Sequence, residues 1–363
     1  MAKKSRGRRK KVDIAHEMTD RELLTLENRI AKVYREAEKD VQKEMSIFLS
    51  NFKKKDAEWK FKLDKGEAKI EEYQEWLKKQ VFRGEQWQLQ RQMIADTLYN
   101  ANQTALEMIN NKIPKIFALN SNYVAFDLEK KAEVDLSFHL YNTSTIRKLL
   151  VEDAKILPFK KLKKGKDVLW NFQSIRNEVA KGIIKGESVD KIANRLYTVI
   201  PDRNKALMKM RARTAVTSAQ NQGRMERFKE AQSLGINVKK KWVATIDART
   251  RFSHLMLNGQ IRDIDDYFEV DGLKIKEPGD PFAHPSLTCN CRCTMDSILV
   301  DFPQKFTESR DNKTGEPIKD MDFDDWQKYK KRNGLLNLIG LMMISKMFEN
   351  WQEDRQEDTK RKE

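Results

Sequence analysis

Cysteine is scarce in this chain and confined to one place. There are 3 cysteines in 363 residues, and Cys289, Cys291 and Cys293 all lie in the run CNCRC. An odd number at alternate positions is not a disulfide framework. Disulfides between alternate cysteines are also geometrically poor. Proline is absent from Thr19 to Asn111, so nothing in that stretch removes a backbone donor from a helix. Long apolar runs are missing as well. The longest, Leu335–Phe348, is interrupted by Asn337, Gly340, Ser345 and Lys346. That is too short and too broken to span a bilayer, so no membrane association is expected and a packed or partner-binding helix is. The N-terminus is basic but lacks the apolar segment of a secretory leader, which points to synthesis inside the cell. No glycine-rich phosphate loop occurs, which argues against an ATP motor or an ordinary dehydrogenase. No helix-turn-helix, zinc-finger or RNA-binding signature stands out either.

Charge is plentiful. The formal net charge is +16, and hydrophobic residues make up 39% of the chain. That is thin for one large globule and suits long amphipathic helices with a smaller packed domain. The basic surplus favours an anionic partner, or simply makes a solvated basic surface. Residues 1–18 read as a disordered basic tail. Its first eleven positions hold Lys3, Lys4, Arg6, Arg8, Arg9, Lys10 and Lys11 with no acidic residue. A second cluster, Lys160, Lys161, Lys163 and Lys164 in KKLKKGK, is expected in a loop after Pro158. Both could neutralise phosphates without reading sequence.

Residues 19–114 read as a helical arm. Leu23, Leu26, Ile30, Val33, Ala37, Val41, Met45, Phe48 and Phe52 recur at spacings of three and four, the period of one helix face. Thr19 or Asp20 could cap its start, Gly66 and Gly84 should break it, and Pro114 should end it. Trp59, Trp76 and Trp87 are expected to be packing anchors. Residues 115–201 form a helical middle with a short extended piece, mixed signals over Asn120–Tyr141, and a helix capped by Ser188.

From 202 to 300 the pattern changes. A clean helix over Asp202–Leu234 ends at Gly235, well placed for a C-cap. Lys239–Ile246 has strand composition, and Asn258-Gly259 and Asp271-Gly272 suggest hairpins. Residues 301–363 add a C-terminal helix and a charged tail. The fold class expected is α+β and predominantly α, with a long N-terminal helical arm, a helical middle and a small C-terminal α+β domain with hairpins.

The segment ARTAVTSAQNQGRMERFKEAQSLG, then KKKWVATIDARTRFSHLMLNGQ, then DPFAHPSLTCNCRC, resembles the phage head morphogenesis proteins, the minor head (minor capsid) proteins of the Mu F-like type. The resemblance covers about Asp167–Leu299 and rests on the order and spacing of the pieces. It implies a virion protein present in few copies, made in the host cytoplasm and placed in the head interior or at the portal vertex. It also implies partners: the portal protein, other head proteins and non-specific DNA, with oligomerisation on the portal. Where family members carry only Cys-Arg-Cys, Cys289 is an extra.

Asp247, Arg249, Thr250, Arg251 and His254 follow the expected strand. They read first as a self-bonded turn, with Asp247 accepting backbone amides and pairing with Arg249 or Arg251, and second as a polar pocket or metal site. Alternation would put all three cysteines on one face. They then pack as small hydrophobes, the reading placed first, or hold a structural zinc with His284, and His254 near. Two enzyme alternatives compete: a metal-dependent nuclease using Asp247, His254 and His284, and an ADP-ribosyltransferase-like enzyme with Arg249 contacting NAD. The second lacks an assignable catalytic glutamate, and no catalytic residue is expected.

Overall fold

The computed structural model describes residues 13–300 apart from 84, 134, 153–158, 186 and 188, together with 309–310, 317–318 and 322–332. The seven cations of the basic tail, the Leu335–Phe348 stretch, Gly84 and Ser188 lie outside the described residues.

Three long helices organise the molecule: α1 (Ile14–Asp64), α3 (Glu85–Ala132) and α7 (Ile200–Ser233). Helix α2 (Ile70–Arg83) folds back along α1 after the turn at Gly66, whose φ is +71°. Shorter helices α4 (Thr143–Glu152), α5 (Lys164–Ile184) and α6 (Val189–Asn194) flank the long three, and a π-helical turn, Arg195–Val199, leads into α7. At 51 residues, α1 extends for about 76 Å.

The expected apolar stripe of α1 is the buried one. Leu26, Ile30, Ala37, Val41 and Met45 are all buried against α3 and its neighbours. The stripe starts earlier than expected. Asp13 is the N-cap, accepting from the His16 amide, while Thr19 is inside the helix and donates to the Ala15 carbonyl. Farther along, Phe48, Phe52, Trp59, Tyr73, Trp76 and Trp87 form a chain of ring contacts between α1 and α2–α3, with centroids 5.5–6.5 Å apart. These aromatics are packing anchors.

Pro114 does not end the helical array. It sits inside α3, with Ile113, Ile116 and Phe117 fully buried around it. Packing on both flanks outweighs the one missing backbone hydrogen bond. Helix α3 and α7 approach so closely that a Cβ at Gly223 would lie 2.4 Å from the Phe117 carbonyl oxygen. A buried polar network pins α3, α5 and α7: Asn102 donates to Asp167 at 3.0 Å and to Asn204 at 2.9 Å, and Asn204 donates to Asn171 at 3.0 Å.

The β structure is small. Strand β1 (Val238–Val243) is central to a three-stranded antiparallel sheet, between β2 (Ile261–Asp263) and β5 (Thr294–Leu299). Strands β3 (Phe268–Val270) and β4 (Leu273–Ile275) form a hairpin through Asp271-Gly272, both at positive φ. Asn258-Gly259 differs from expectation. It joins helix α8 (Phe252–Leu257) to β2 and is no strand–strand hairpin. Its Gly259 amide bonds the Trp242 carbonyl, so the turn is an extension of the β1 ladder. Strands β6 (Ser309–Arg310) and β7 (Pro317–Ile318) pair separately.

The sheet packs on the ends of α3 and α7. Trp242, Phe268, Phe228, Leu128 and Met295 share one core. Helical residues 323–332 close it, with Phe323 and Trp326 buried and the Trp326 indole donating to Glu129 at 2.6 Å. The class is therefore α+β and predominantly α. Among the described residues, no helix is long and apolar enough to cross a membrane.

Candidate functional site

The segment Cys289–Cys293 precedes β5 and lies outside any strand. Its buried backbone groups still need partners. One face of α7 supplies most of them. Thr214 Oγ1 accepts from the Asn290 amide at 3.0 Å, and Thr217 Oγ1 donates to the Cys291 carbonyl at 2.6 Å. Asn221 donates to the Cys293 carbonyl at 3.1 Å, Gln220 to Thr294 Oγ1 at 2.7 Å, and Arg224 to the Met295 carbonyl at 2.8 Å. These positions recur at three and four, so they form a polar ladder along one helix face. From the opposite side, Thr245 takes the Arg292 carbonyl at 2.6 Å and Arg251 the Cys289 carbonyl at 2.8 Å.

Side chains then sort by alternation. Cys291 and Cys293 are buried, while Arg292 between them turns outward and forms two hydrogen bonds to Asp247, at 2.6 and 2.7 Å. Asp247 also accepts the Arg249 amide at 2.9 Å, and Thr250 donates back to the Thr245 carbonyl. The self-bonded turn is therefore present, but its main cation is Arg292. Arg249 approaches Asp247 only at 3.6 Å and is largely exposed. The Arg292 hydrogen bonds, then the Arg249 amide, hold the Asp247 carboxyl far below the usual carboxylate range.

Alternation fails upstream of Cys291. Asn290 adopts φ +58°, which breaks the extended run. Cys289, the C-cap of the short helix α9 (Pro285–Thr288), is half-buried outside the cluster, near the Lys160 ammonium. His284 is exposed and caps α9, accepting from the Ser286 amide at 3.3 Å. The expected set of Cys289, Cys291, Cys293 and His284 is thus corrected. The groups brought together are His254, Cys291 and Cys293, all buried, with ligand atoms within 4.8 Å of one another.

His254 reaches this cluster from α8. Its Nδ1 lies 3.2 Å from Cys293 Sγ and 3.6 Å from Cys291 Sγ. Its Nε2 is 2.9 Å from Arg251 Nη2, and Trp242 meets the ring edge-on at 5.9 Å. A guanidinium only donates, so Nε2 accepts and the ring proton sits on Nδ1, facing the sulfurs. The Cys291 hydrogen bond, opposed by burial and aided by His254, draws the Cys293 thiol down. The same hydrogen bond and burial push Cys291 up. The same three atoms could ligate a soft cation. The nuclease set Asp247, His254 and His284 is not assembled: Asp247 is exposed in its turn, His254 is buried, and His284 is a cap.

The second basic cluster is not a plain loop. Helix α5 begins at Lys164. The Lys160 carbonyl accepts from the Asn110 side-chain amide at 2.8 Å and its backbone amide donates to Asn110 Oδ1 at 3.0 Å, and burial pushes its ammonium down. Lys161, Lys163 and Lys164 are exposed.

The α7 ladder was not foreseen. Its signal lay in the run of small and polar residues from Ala215 to Gly223, where an ordinary core helix would carry large apolar side chains.

Residues 173–296 match the family described as Phage Mu protein F like protein. Two curated proteins are similar. The minor head protein GP7 of Bacillus phage SPP1 is 26% identical over 231 residues, covering 63% of this chain and 73% of that one. The NAD(+)–arginine ADP-ribosyltransferase EFV of Enterococcus faecalis is 31% identical over 204 residues, covering 55% of this chain but only 40% of that protein's length. No solved structure matches. The matched span takes in the α7 ladder, the Asp247 turn, His254 and the Cys-Arg-Cys segment, and over it the chain is similar to the phage Mu F-like proteins.

Proposed function

We propose that this protein acts by binding in phage head morphogenesis, docked at the portal vertex beside other head proteins and touching packaged DNA without sequence preference. The observation that carries this reading is the similarity to the SPP1 minor head protein over 73% of that protein's length. A place in the virion goes with it.

Two surface features support the finer statements. Helix α8 exposes Phe252, Leu255 and Met256 at spacings of three and one, with Ile246 exposed just before it. Singly exposed apolar residues are ordinary, but a grouped patch suits a protein partner. Lys161, Lys163, Lys164 and Lys166 are exposed around the start of α5. Cations are disfavoured at a helix N-terminus, so a bound phosphate there relieves repulsion from both the lysines and the helix dipole.

The test is quantitative mass spectrometry of purified heads from cells expressing the tagged chain. A fixed low number of copies per particle supports the reading, and absence from particles overturns it.

The Enterococcus relative favours a second reading, transfer of ADP-ribose to arginine. Sharing 40% of that protein's length does not carry its activity across. Arg249, the NAD-contacting candidate, is exposed and tied to the Asp247 turn. Incubation with labelled NAD and an arginine-rich acceptor decides it: label on the acceptor, lost in Arg249→Ala, would establish the enzyme reading.

A further inference from the structure

We propose that His254 Nδ1, Cys291 Sγ and Cys293 Sγ bind one zinc ion. The distances carry this. Zinc bonds of about 2.0–2.1 Å to nitrogen and 2.3 Å to sulfur, at tetrahedral angles, place nitrogen and sulfur about 3.5 Å apart. The observed separations of 3.2 and 3.6 Å bracket that value.

The cysteines are held in place independently of their sulfurs, because the α7 ladder grips the Cys291 and Cys293 carbonyls. The site is thus preorganised, as a tight metal site must be. Trp242 seals one side. The fold gains from such a link, since β2, β3 and β4 are three residues each and cannot hold α8 against β5 strongly by themselves. Zinc joins His254 of α8 to the segment entering β5, elements 37 and 39 residues apart in sequence.

One contact must change. Metal on Nδ1 displaces the ring proton, which then resides on Nε2, where Arg251 cannot accept it. Arg251 Nη2 turns aside while Nη1 keeps the Cys289 carbonyl. Arg251→Gln, whose amide oxygen can accept from Nε2, should therefore hold the ion at least as firmly as the wild type.

The test uses the full chain, purified without chelator, incubated with zinc, passed through gel filtration and assayed by plasma mass spectrometry. The expected result is about one zinc per chain in the wild type, Cys289→Ser and His284→Ala, and little in Cys291→Ser/Cys293→Ser. Cobalt substitution of the wild type should give a thiolate charge-transfer band, and chelation should lower its melting temperature, so misfolding of a variant leaves the proposal testable. Fewer than about one zinc in ten wild-type chains, with no cobalt–thiolate band, overturns it, as does zinc that survives loss of both cysteines.

Discussion

Arg224→Met probes the α7 ladder at a buried, charged rung. The guanidinium donates to the Met295 carbonyl at 2.8 Å, to Asn120 Oδ1 at 3.0 and 3.2 Å, and pairs with Asp13 at 2.8 Å. One side chain thus ties α7 to α3, to β5 and to the residue that caps α1. Methionine matches much of its volume and none of its bonds, leaving three acceptors short of a donor. Breaking a buried pair costs about 3–5 kcal/mol, and the lower figure applies because the Asp13 side chain is 29% exposed. Asp13→Asn keeps neutral acceptors around Arg224 and should cost about 1–2 kcal/mol. The double variant should cost less than the sum, since the two share one contact. Urea unfolding reads all three as midpoint shifts at constant slope. Burial raises the Asp13 carboxyl and Arg224 more than reverses it, so the folded value lies below 3.8. Its contribution is present above that pH and fades as pH falls through the folded value, a slope that Arg224→Met should abolish. A cost under about 1 kcal/mol for Arg224→Met, or strict additivity, would refute the ladder as the element that seats β5.

Glu277 is buried, and burial followed by Asp280 pushes its carboxyl up to about 7, against attraction from Lys240, Lys276 and Lys229. The folded state therefore holds the proton more tightly than the unfolded chain between pH 4.5 and 7, and stability falls as pH rises through that window. Glu277→Gln, which can still accept from Gln222, should flatten the slope and stabilise the protein at pH 8 by about 1–2 kcal/mol in thermal or urea unfolding. Gly223→Ala forces a Cβ onto the Phe117 carbonyl and should cost about 1–3 kcal/mol, whereas Gly165→Ala meets nothing within 4 Å and should cost nothing measurable, by the same assay. DNA affinity measured against salt should show a steep log–log slope for random duplexes. Removing any one of Lys161, Lys163 or Lys164 should lower the slope by about 0.9 if that lysine meets a phosphate, and an unchanged slope for all three would remove this cluster from the interface.

Helix periodicity made the outline legible. The spacing of Leu26, Ile30, Ala37 and Val41 named the buried face of α1, and Gly235 at φ +85° ends α7 where a C-cap was expected. Pro114 misled because local propensity was set against packing it could not reveal: α3 is flanked by α1 on one side and α7 on the other. At the site, alternation correctly paired Cys291 with Cys293 and failed at Cys289, where Asn290 takes a left-handed turn that only the three-dimensional context fixes. His254 was legible as a neighbour and His284 was overvalued, because a histidine before proline is also a good cap. Arg292 was missed as the partner of Asp247, since 45 residues of chain separate them.

The most direct test of the central claim is co-expression of the full chain with the portal protein of its own phage, followed by size-exclusion chromatography with light scattering at low and high salt. Co-migration that persists at high salt, and weakens when Phe252 and Met256 are changed to serine, is the expected result. No complex at either salt would contradict the account of a head protein docked at the portal.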